Sequence, residues 1–517
     1  MSRRTSMPSE PRARLSSVPR SLSLLIAAIA LLAGAEATRP ASAVPAVPPT
    51  PQPLRELRFP AFQQKQLANG LRLIAIERHT EPAVSLRLVV PAGKLYEPTA
   101  KSGLAGAAAA LLTQGTATRK AQQIAAAIDG VGGELDAGSG ADFAYVSAAV
   151  TTDQLDLALE LMADVVLHPS FPADELERWR RKAVSGLELQ RANPGYLADV
   201  AFQRAVYGDF PYAYPQRGTP ESLRALTRDD LVTFHRTHYL PNGAILAVVG
   251  DIRPAQALAS VERAFGGWQR GEAPRHPAPE LPRYQRHRVL VIDKPDAVQT
   301  QIRVGQAALA YTDPGFFTAA VYGTVLGGGS NGRLFQEIRR KRGLAYGAYS
   351  RFAEQLVTGS FAASTSTKTE STIEALRLTL ELVADMGKAP VPKVELEEAK
   401  TYLNGGFPLE IETADDVASR VLTTLSFGLG REFLDTYRDR ISAVTADDVQ
   451  RFGSTRLHPD QMVIVLVGKA AAFGPQLAKE LGPYETIPAA ELDPLAPALR
   501  RPAGGTPAPA PKPKPGG

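Results

Sequence analysis

The 517-residue chain contains no cysteine. That excludes disulfides, thiolate metal sites, a cysteine nucleophile and cysteine lipidation. Histidine is scarce, with seven in the whole chain (His79, His168, His235, His238, His276, His287 and His458). The apolar run from Leu22 to about Ala35 is shorter than the roughly 20 residues a membrane-spanning helix needs. Charge of one sign is also lacking where it would matter. The net charge is +5, but residues 1–43 contribute +4 and the stretch from Arg500 another +4, which leaves the body at −3. A mildly acidic body gives no electrostatic case for binding nucleic acid. What is present is ordinary for a globular protein, with 44% hydrophobic and 21% charged residues. The length suits two or three domains.

The two ends differ from the body. Arg3, Arg4, Arg12, Arg14 and Arg20 precede the apolar run, and Ala41-Ser42-Ala43 follows it. This is the layout of a secretory signal peptide over residues 1–43, with an uncleaved membrane anchor as the alternative. Arg3-Arg4 lie too far from the apolar run to argue for twin-arginine export. The expectation is export across the inner membrane into a periplasm, with no membrane contact beyond the signal peptide. Residues 44–55 read as a Pro-rich linker, and 491–517 as a Pro-rich disordered tail.

Between the ends the chain repeats itself. Thr227–Gly250 and Thr445–Gly468 align without a gap at a constant offset of 218. Thr227/Thr445, Asp229/Asp447, Asp230/Asp448, Phe234/Phe452, Pro241/Pro459 and Gly250/Gly468 are identical pairs. Each copy reads as a helix capped by Thr and Asp, a Pro turn, and an apolar strand ending at Gly. The halves also begin alike, with two β-rich runs at Leu71–Glu77 and Val84–Val90, and again at Arg288–Ile292 and Thr300–Gly305. Four prolines mark the connection between them. The reading is α+β, with two homologous domains at 56–270 and 286–490 joined by a linker at 271–285. Each is expected to be a mostly antiparallel sheet covered by helices.

Ordered motifs in the first half carry a resemblance. Leu67-Ala-Asn-Gly-Leu71 is followed by Pro91-Ala-Gly-Lys-Leu-Tyr-Glu-Pro98, Ser102-Gly-Leu-Ala105 and Gly115-Thr116. This order resembles the N-terminal half of M16 (pitrilysin/insulinase-like, mitochondrial-processing-peptidase-like) metallopeptidases, over nearly all of residues 60–480. The resemblance implies a LuxS/MPP-like metallohydrolase fold. It also implies a His-x-x-Glu-His motif on the helix after Gly-Leu-Ala. Two histidines four apart on one helix face hold a zinc ion, and the glutamate acts as general base on its water. Here those five positions are Gly106-Ala107-Ala108-Ala109-Ala110, and Trp179 and Gly186 stand where the family places two downstream glutamates. No residue of this chain is expected to be catalytic on its own or to hold a metal. His235 and His238 are the only close histidine pair, and without a full ligand set they read as a packed helix end.

In the second half Gly327, Gly329 and Gly332 satisfy G-x-G-x-x-G. The preceding Phe316–Leu326 looks helical, whereas the dinucleotide fingerprint needs a strand there. The segment 326–350 instead resembles the M16 C-terminal signature, in which an arginine and a tyrosine seven apart hold the substrate backbone near the scissile bond. Arg339 and Tyr346 have that spacing, and are the candidate substrate-binding residues. A guanidinium offers fixed donors to carbonyls, and a phenol can donate to an oxyanion. The plain alternative is a solvated basic helix end, Arg339-Arg340-Lys341-Arg342, followed by a sheet tyrosine. Gly132–Asp142 matches the family's strand that pairs with extended substrate, a task that needs only main-chain groups. The resemblance therefore implies a non-catalytic, substrate-binding subunit. Its partner in a heterodimer would be a separate M16 subunit that carries the zinc, with a peptide as substrate. The alternative is an inert scaffold or peptide-binding protein of the same fold.

Overall fold

The computed structural model describes residues 58–272 and 275–501. The signal-peptide and first linker expectations, 1–43 and 44–55, lie outside the described residues, as does the tail from residue 502.

Two six-stranded sheets form the frame. The first holds β1 (Gln63–Gln66), β2 (Arg72–Glu77), β3 (Ala83–Val90), β4 (Glu134–Ser139), β5 (Ala144–Thr151) and β6 (Ile245–Gly250), in the order β1-β2-β6-β3-β5-β4. The second holds β7 (Arg288–Asp293), β8 (Gln299–Ala307), β9 (Ala345–Phe352), β10 (Ser360–Lys368), β11 (Val463–Gly468) and β12 (Glu485–Pro488), in the order β12-β7-β11-β8-β10-β9. Antiparallel pairs predominate, but β6 lies parallel to β2, and β7 parallel to both β11 and β12. The sheets are therefore mixed. The two halves differ at one edge, where β1 runs antiparallel to β2 while β12 arrives from the C-terminal side and runs parallel to β7.

The repeated segment explains the likeness. Thr227 accepts a hydrogen bond from the Asp230 amide while the Asp230 carboxylate accepts one from the Thr227 amide. Thr445 and Asp448 do the same. These reciprocal caps start the helices Arg228–His238 and Ala446–Arg456 at one register. The strands that follow, Ile-Leu-Ala-Val-Val-Gly and Val-Ile-Val-Leu-Val-Gly, have every residue buried. Continuous apolar runs of this kind belong in a sheet covered on both faces.

The covering is reciprocal. One face of the first sheet, with Leu73, Leu86, Leu88, Leu246 and Val248, packs on the helices of its own half. The other face presents Ile74, Ile76, Ile245, Ala247 and Val249 to the second half. There the helix Ala414–Ser426 lies across β3 and β6 and buries Val417, Val421 and Leu422. In return the first half sends the helix Pro194–Tyr207 across β8 and β11. It buries Leu197, Ala201 and Phe202 against Leu290, Val463, Val465 and Val467. Gly305 on β8 leaves room for the Phe202 ring, which would stand 2.9 Å from a Cβ at that position. Each exchange carries an ion pair, Arg87–Asp415 at 3.2 Å and Arg303–Asp199 at 2.7 Å. Both aspartates are exposed, so the pairs mark register more than they add stability.

The packed body runs past residue 490, where the disordered tail was expected to begin. Leu492 and Leu499 are buried in the cluster under the Pro194–Tyr207 helix, and Leu492 bridges to Arg500. Two leucines within the Pro-rich stretch supply the apolar surface that holds it down.

Candidate functional site

The helix Leu104–Leu111 occupies the place where the resemblance puts the zinc motif. It starts at Gly103, which has φ +94° and would bring a Cβ within 2.8 Å of Leu223. The buried Glu97 carboxylate caps it by accepting from the amides of Gly103 (3.0 Å) and Ala105 (2.6 Å). A negative group there complements the helix dipole. Ala107, Ala108 and Ala109 are fully buried, and only Gly106 and Ala110 reach partial exposure. A Cβ on Gly106 would find only the Ser139 hydroxyl and Gln216 carbonyl, both 3.9 Å away. Trp179 packs half-buried against the first-half core from the helix Ala173–Gln190, while Gly186 on the same helix has nothing near it. None of these seven residues carries a ligand atom, so the residues present do not fit a zinc ion.

His235 and His238 are absorbed by packing. His235 bonds the Val166 carbonyl through Nε2 at 2.8 Å and stacks on Tyr239. His238 lies against Phe234 and Tyr96, and burial pushes its pKa down to about 4. Among the described residues no cluster of three His, Asp or Glu side chains is placed to hold a metal.

The glycine run of the second half is not a phosphate cradle. Gly327 ends a helix, Phe316–Gly327, where the fingerprint requires a strand. A Cβ on Gly327 would meet the Ser350 amide at 2.5 Å, and one on Gly332 would meet Gly327 at 2.7 Å. These glycines let the loop pack closely on β9.

Beyond the loop, the backbone is irregular on both sides of the candidate pair. Phe335–Lys341 is a π-helix, a form that recurs at functional sites. On β9, Ala345 pairs with Thr367 while Ala348 pairs with Thr365, so β9 carries one extra residue, a β-bulge around Tyr346-Gly347. The structure brings Arg339 and Tyr346 together. The Arg339 guanidinium lies 4.4 Å from the Tyr346 ring centre and 4.8 Å from that of Phe335. Tyr346 is 82% exposed. The rest of the basic run is occupied differently, since Glu337 pairs with Lys341 and Arg342. Arg340 donates to the Gln336 side-chain carbonyl at 3.4 Å, and of the four only Arg339 lies against aromatic rings. Phe335, which the sequence reading passed over, sits four residues before Arg339, the spacing that puts two side chains on one helical face.

The first half offers a main-chain edge. β4 pairs with β5 on one side, and among the described residues no strand pairs with its other side. A 590 Å³ cleft runs beside it, lined by Ile124, Ile128, Gln114, Glu134, Asp136 and Arg178. Asp136 accepts a hydrogen bond from Tyr145 at 3.4 Å.

The turns after the two edge strands meet. Asp142, between β4 and β5, accepts from the Leu356 amide, between β9 and β10, at 3.2 Å and also from the Tyr212 hydroxyl. Burial raises its pKa. Beside it Lys94 is buried and donates to the carbonyls of Tyr212 and Tyr214, both at 3.1 Å. Burial pushes Lys94 down to about 8 and Glu97 up to about 7. One buried charged network thus joins the cap of the degenerate helix to the seam between the halves.

Comparison with known proteins agrees with this arrangement. The profile described as insulinase (peptidase family M16) matches residues 72–218, and that described as peptidase M16 inactive domain matches residues 225–403. An uncharacterized zinc protease of Mycobacterium leprae is 30% identical over 421 residues, 81% of this chain and 93% of its own length. Another from Mycobacterium tuberculosis is 30% identical over 411 residues, 77% of this chain and 93% of its own. Among solved structures, a peptidase M16 inactive domain from Pseudomonas fluorescens superposes with a TM-score of 0.74 at 28% identity, covering 79% of this chain and 98% of that one. A protease from Helicobacter pylori shares the fold, with a TM-score of 0.73 at 20% identity over 79% of this chain and all of that one. The chain belongs to peptidase family M16.

Proposed function

We propose that this chain is the non-catalytic, substrate-binding subunit of a bacterial M16 zinc peptidase. A zinc-bearing M16 subunit is its partner in a heterodimer, and a peptide is the substrate. The observation that carries the reading is the contrast between the two halves. The metal helix carries no ligand atom, while the half-buried Arg339 and the exposed Tyr346 stay stacked and framed by two backbone irregularities. The chain holds extended peptide on its own, through the open edge of β4 and the Arg339/Tyr346 face, and presents it to the partner's zinc. In-plane donors of Arg339 bind a substrate carbonyl, and the Tyr346 hydroxyl donates where negative charge develops. Export to the periplasm, through the signal peptide at 1–43, places both subunits in one compartment. The simpler reading, an inert peptide-binding protein of the same fold, draws on the same β4 edge and cleft.

The test is co-expression with an M16 subunit from the same genome that retains His-x-x-Glu-His. Each chain and the mixture are assayed for zinc-dependent peptide cleavage. Activity should appear in the mixture, and Arg339→Ala or Tyr346→Phe should lower kcat about 10²-fold, the scale of one lost transition-state donor. Full activity of the partner alone, unchanged by this chain, refutes the split enzyme. Peptide binding that persisted in this chain would then leave the simpler reading.

A further inference from the structure

The bulge in β9 has a consequence for side-chain direction. Residues of a regular strand alternate between faces, so two positions three apart point opposite ways. Tyr346 and Tyr349 are three apart, yet both are exposed, at 82% and 45%, while Ala348 and Ser350 between and beyond them are buried. The extra residue between the Thr367 and Thr365 pairings reverses the alternation and brings both tyrosines to one face. Tyr349 then reaches the same group of rings, with its centroid 6.0 Å from that of Phe335. Its ring lies across Gly347, where a Cβ would stand 2.7 Å from Cε2 and 2.9 Å from the hydroxyl oxygen. Only glycine lets a phenol lie there against the strand. Neither tyrosine hydroxyl has a hydrogen-bond partner within the described residues, so nothing in the fold accounts for two exposed phenols on one face.

We infer that Tyr349, seated on Gly347, is a specificity-determining residue. With Tyr346 it forms an aromatic platform that receives a bulky apolar or aromatic side chain of the bound peptide, beside the carbonyl that Arg339 holds. Arg339 is covered by Phe335 and Tyr346, so its free donors lie in the guanidinium plane and bind main chain. The rings of Tyr346 and Tyr349 remain open to a side chain. Offset or edge-on ring contacts of this kind favour aromatic partners. The inference rests on the reading of Arg339 and Tyr346 as peptide-facing, and it adds the class of side chain next to them.

The experiment measures binding to the full chain by fluorescence anisotropy. Two fluorescein-labelled nonapeptides of glycine, serine and alanine are used, differing only in a central phenylalanine or serine. The phenylalanine peptide should bind about fivefold more tightly. Tyr349→Ala and Gly347→Ala should abolish that preference, and Tyr349→Phe should keep it. Arg339→Ala should weaken both peptides alike. Circular dichroism melts identify any variant that fails to fold, and Tyr349→Ala is at an exposed position where folding is expected. An unchanged preference in folded Tyr349→Ala overturns this inference and leaves the Arg339 reading standing. Loss of preference without any effect of Arg339→Ala supports the platform and refutes the Arg339 role. Binding of neither peptide overturns both.

Discussion

Replacing Lys94 by methionine should destabilise the first half by an amount that depends on pH. Lys94 is buried, and its ammonium donates to two carbonyls beside Glu97 and Asp142. Lys94→Met keeps much of the stem volume but removes both hydrogen bonds and a cation that lowers the Glu97 pKa. Leaving two buried carbonyls without their donor costs about 1–3 kcal/mol each, and the Glu97 charge also loses a nearby cation. Glu97 can escape that cost by taking up a proton. Its folded pKa is already raised to about 7 from 4.5 by burial, and loss of Lys94 moves it higher. A carboxyl with a raised folded pKa contributes stability that is present below the unfolded value and lost as pH rises through the folded one. The variant should therefore lose a few kcal/mol at pH 8 and recover part of it at pH 5.5, where Glu97 is protonated. Urea titrations followed by tryptophan emission suit this test. The chain's two tryptophans, Trp179 and Trp268, both pack on the first-half core. A loss below about 1 kcal/mol at pH 8, or one of equal size at both pH values, would refute the argument that buried charge at the seam is what Lys94 balances.

Two further predictions concern the architecture and the lost metal site. Residues 58–270 expressed alone should aggregate, because the face bearing Ile74, Ile76, Ile245 and Val249 loses its cover. Co-expression with 286–501 should restore a soluble complex on gel filtration, and a soluble, monomeric 58–270 would contradict the exchanged-helix account. Gly106→His combined with Ala110→His should bind zinc no better than the parent by metal analysis after dialysis, since Trp179 and Gly186 supply no further ligand. Adding Ala109→Glu should destabilise the protein by several kcal/mol, because Ala109 is fully buried and a carboxylate there has no partner. Stoichiometric zinc in the double variant would show that the missing glutamates are dispensable.

Much of this molecule was legible in the sequence because local chemistry repeats. Thr-x-x-Asp caps set two helices in register, and the apolar strand after each could be read as part of a sheet covered by helices. The blank metal helix could be read because a ligand needs a particular atom, and glycine and alanine have none. The helix exchange was not legible. Pro194–Tyr207 and Ala414–Ser426 are amphipathic, and an apolar stripe does not say whose sheet it will cover. The β9 bulge was hidden for a related reason. Tyr346 and Tyr349 look like opposite faces of one strand until the pairing with β10 is known. The ordered end at Leu492–Leu499 was masked by the prolines around it.

The exchange also explains why the first half persists with no ligand atom on the helix Leu104–Leu111. One face of the second sheet is closed by Pro194–Tyr207, which the first half supplies. Fully burying one leucine or valine is worth roughly 1.5–3 kcal/mol. Leu290, Ile292, Val463, Val465 and Val467 together depend on that cover for more than the few kcal/mol by which a domain is stable. Loss of the zinc ligands removes no such contact, because Gly106 and Ala110 sit at the open side of their helix. Positions 106 and 110 can therefore change without cost to the packing, while the helices of the first half cannot. The Arg339/Tyr346 face stays ordered only as long as the half beside it does, whether or not that half still does chemistry.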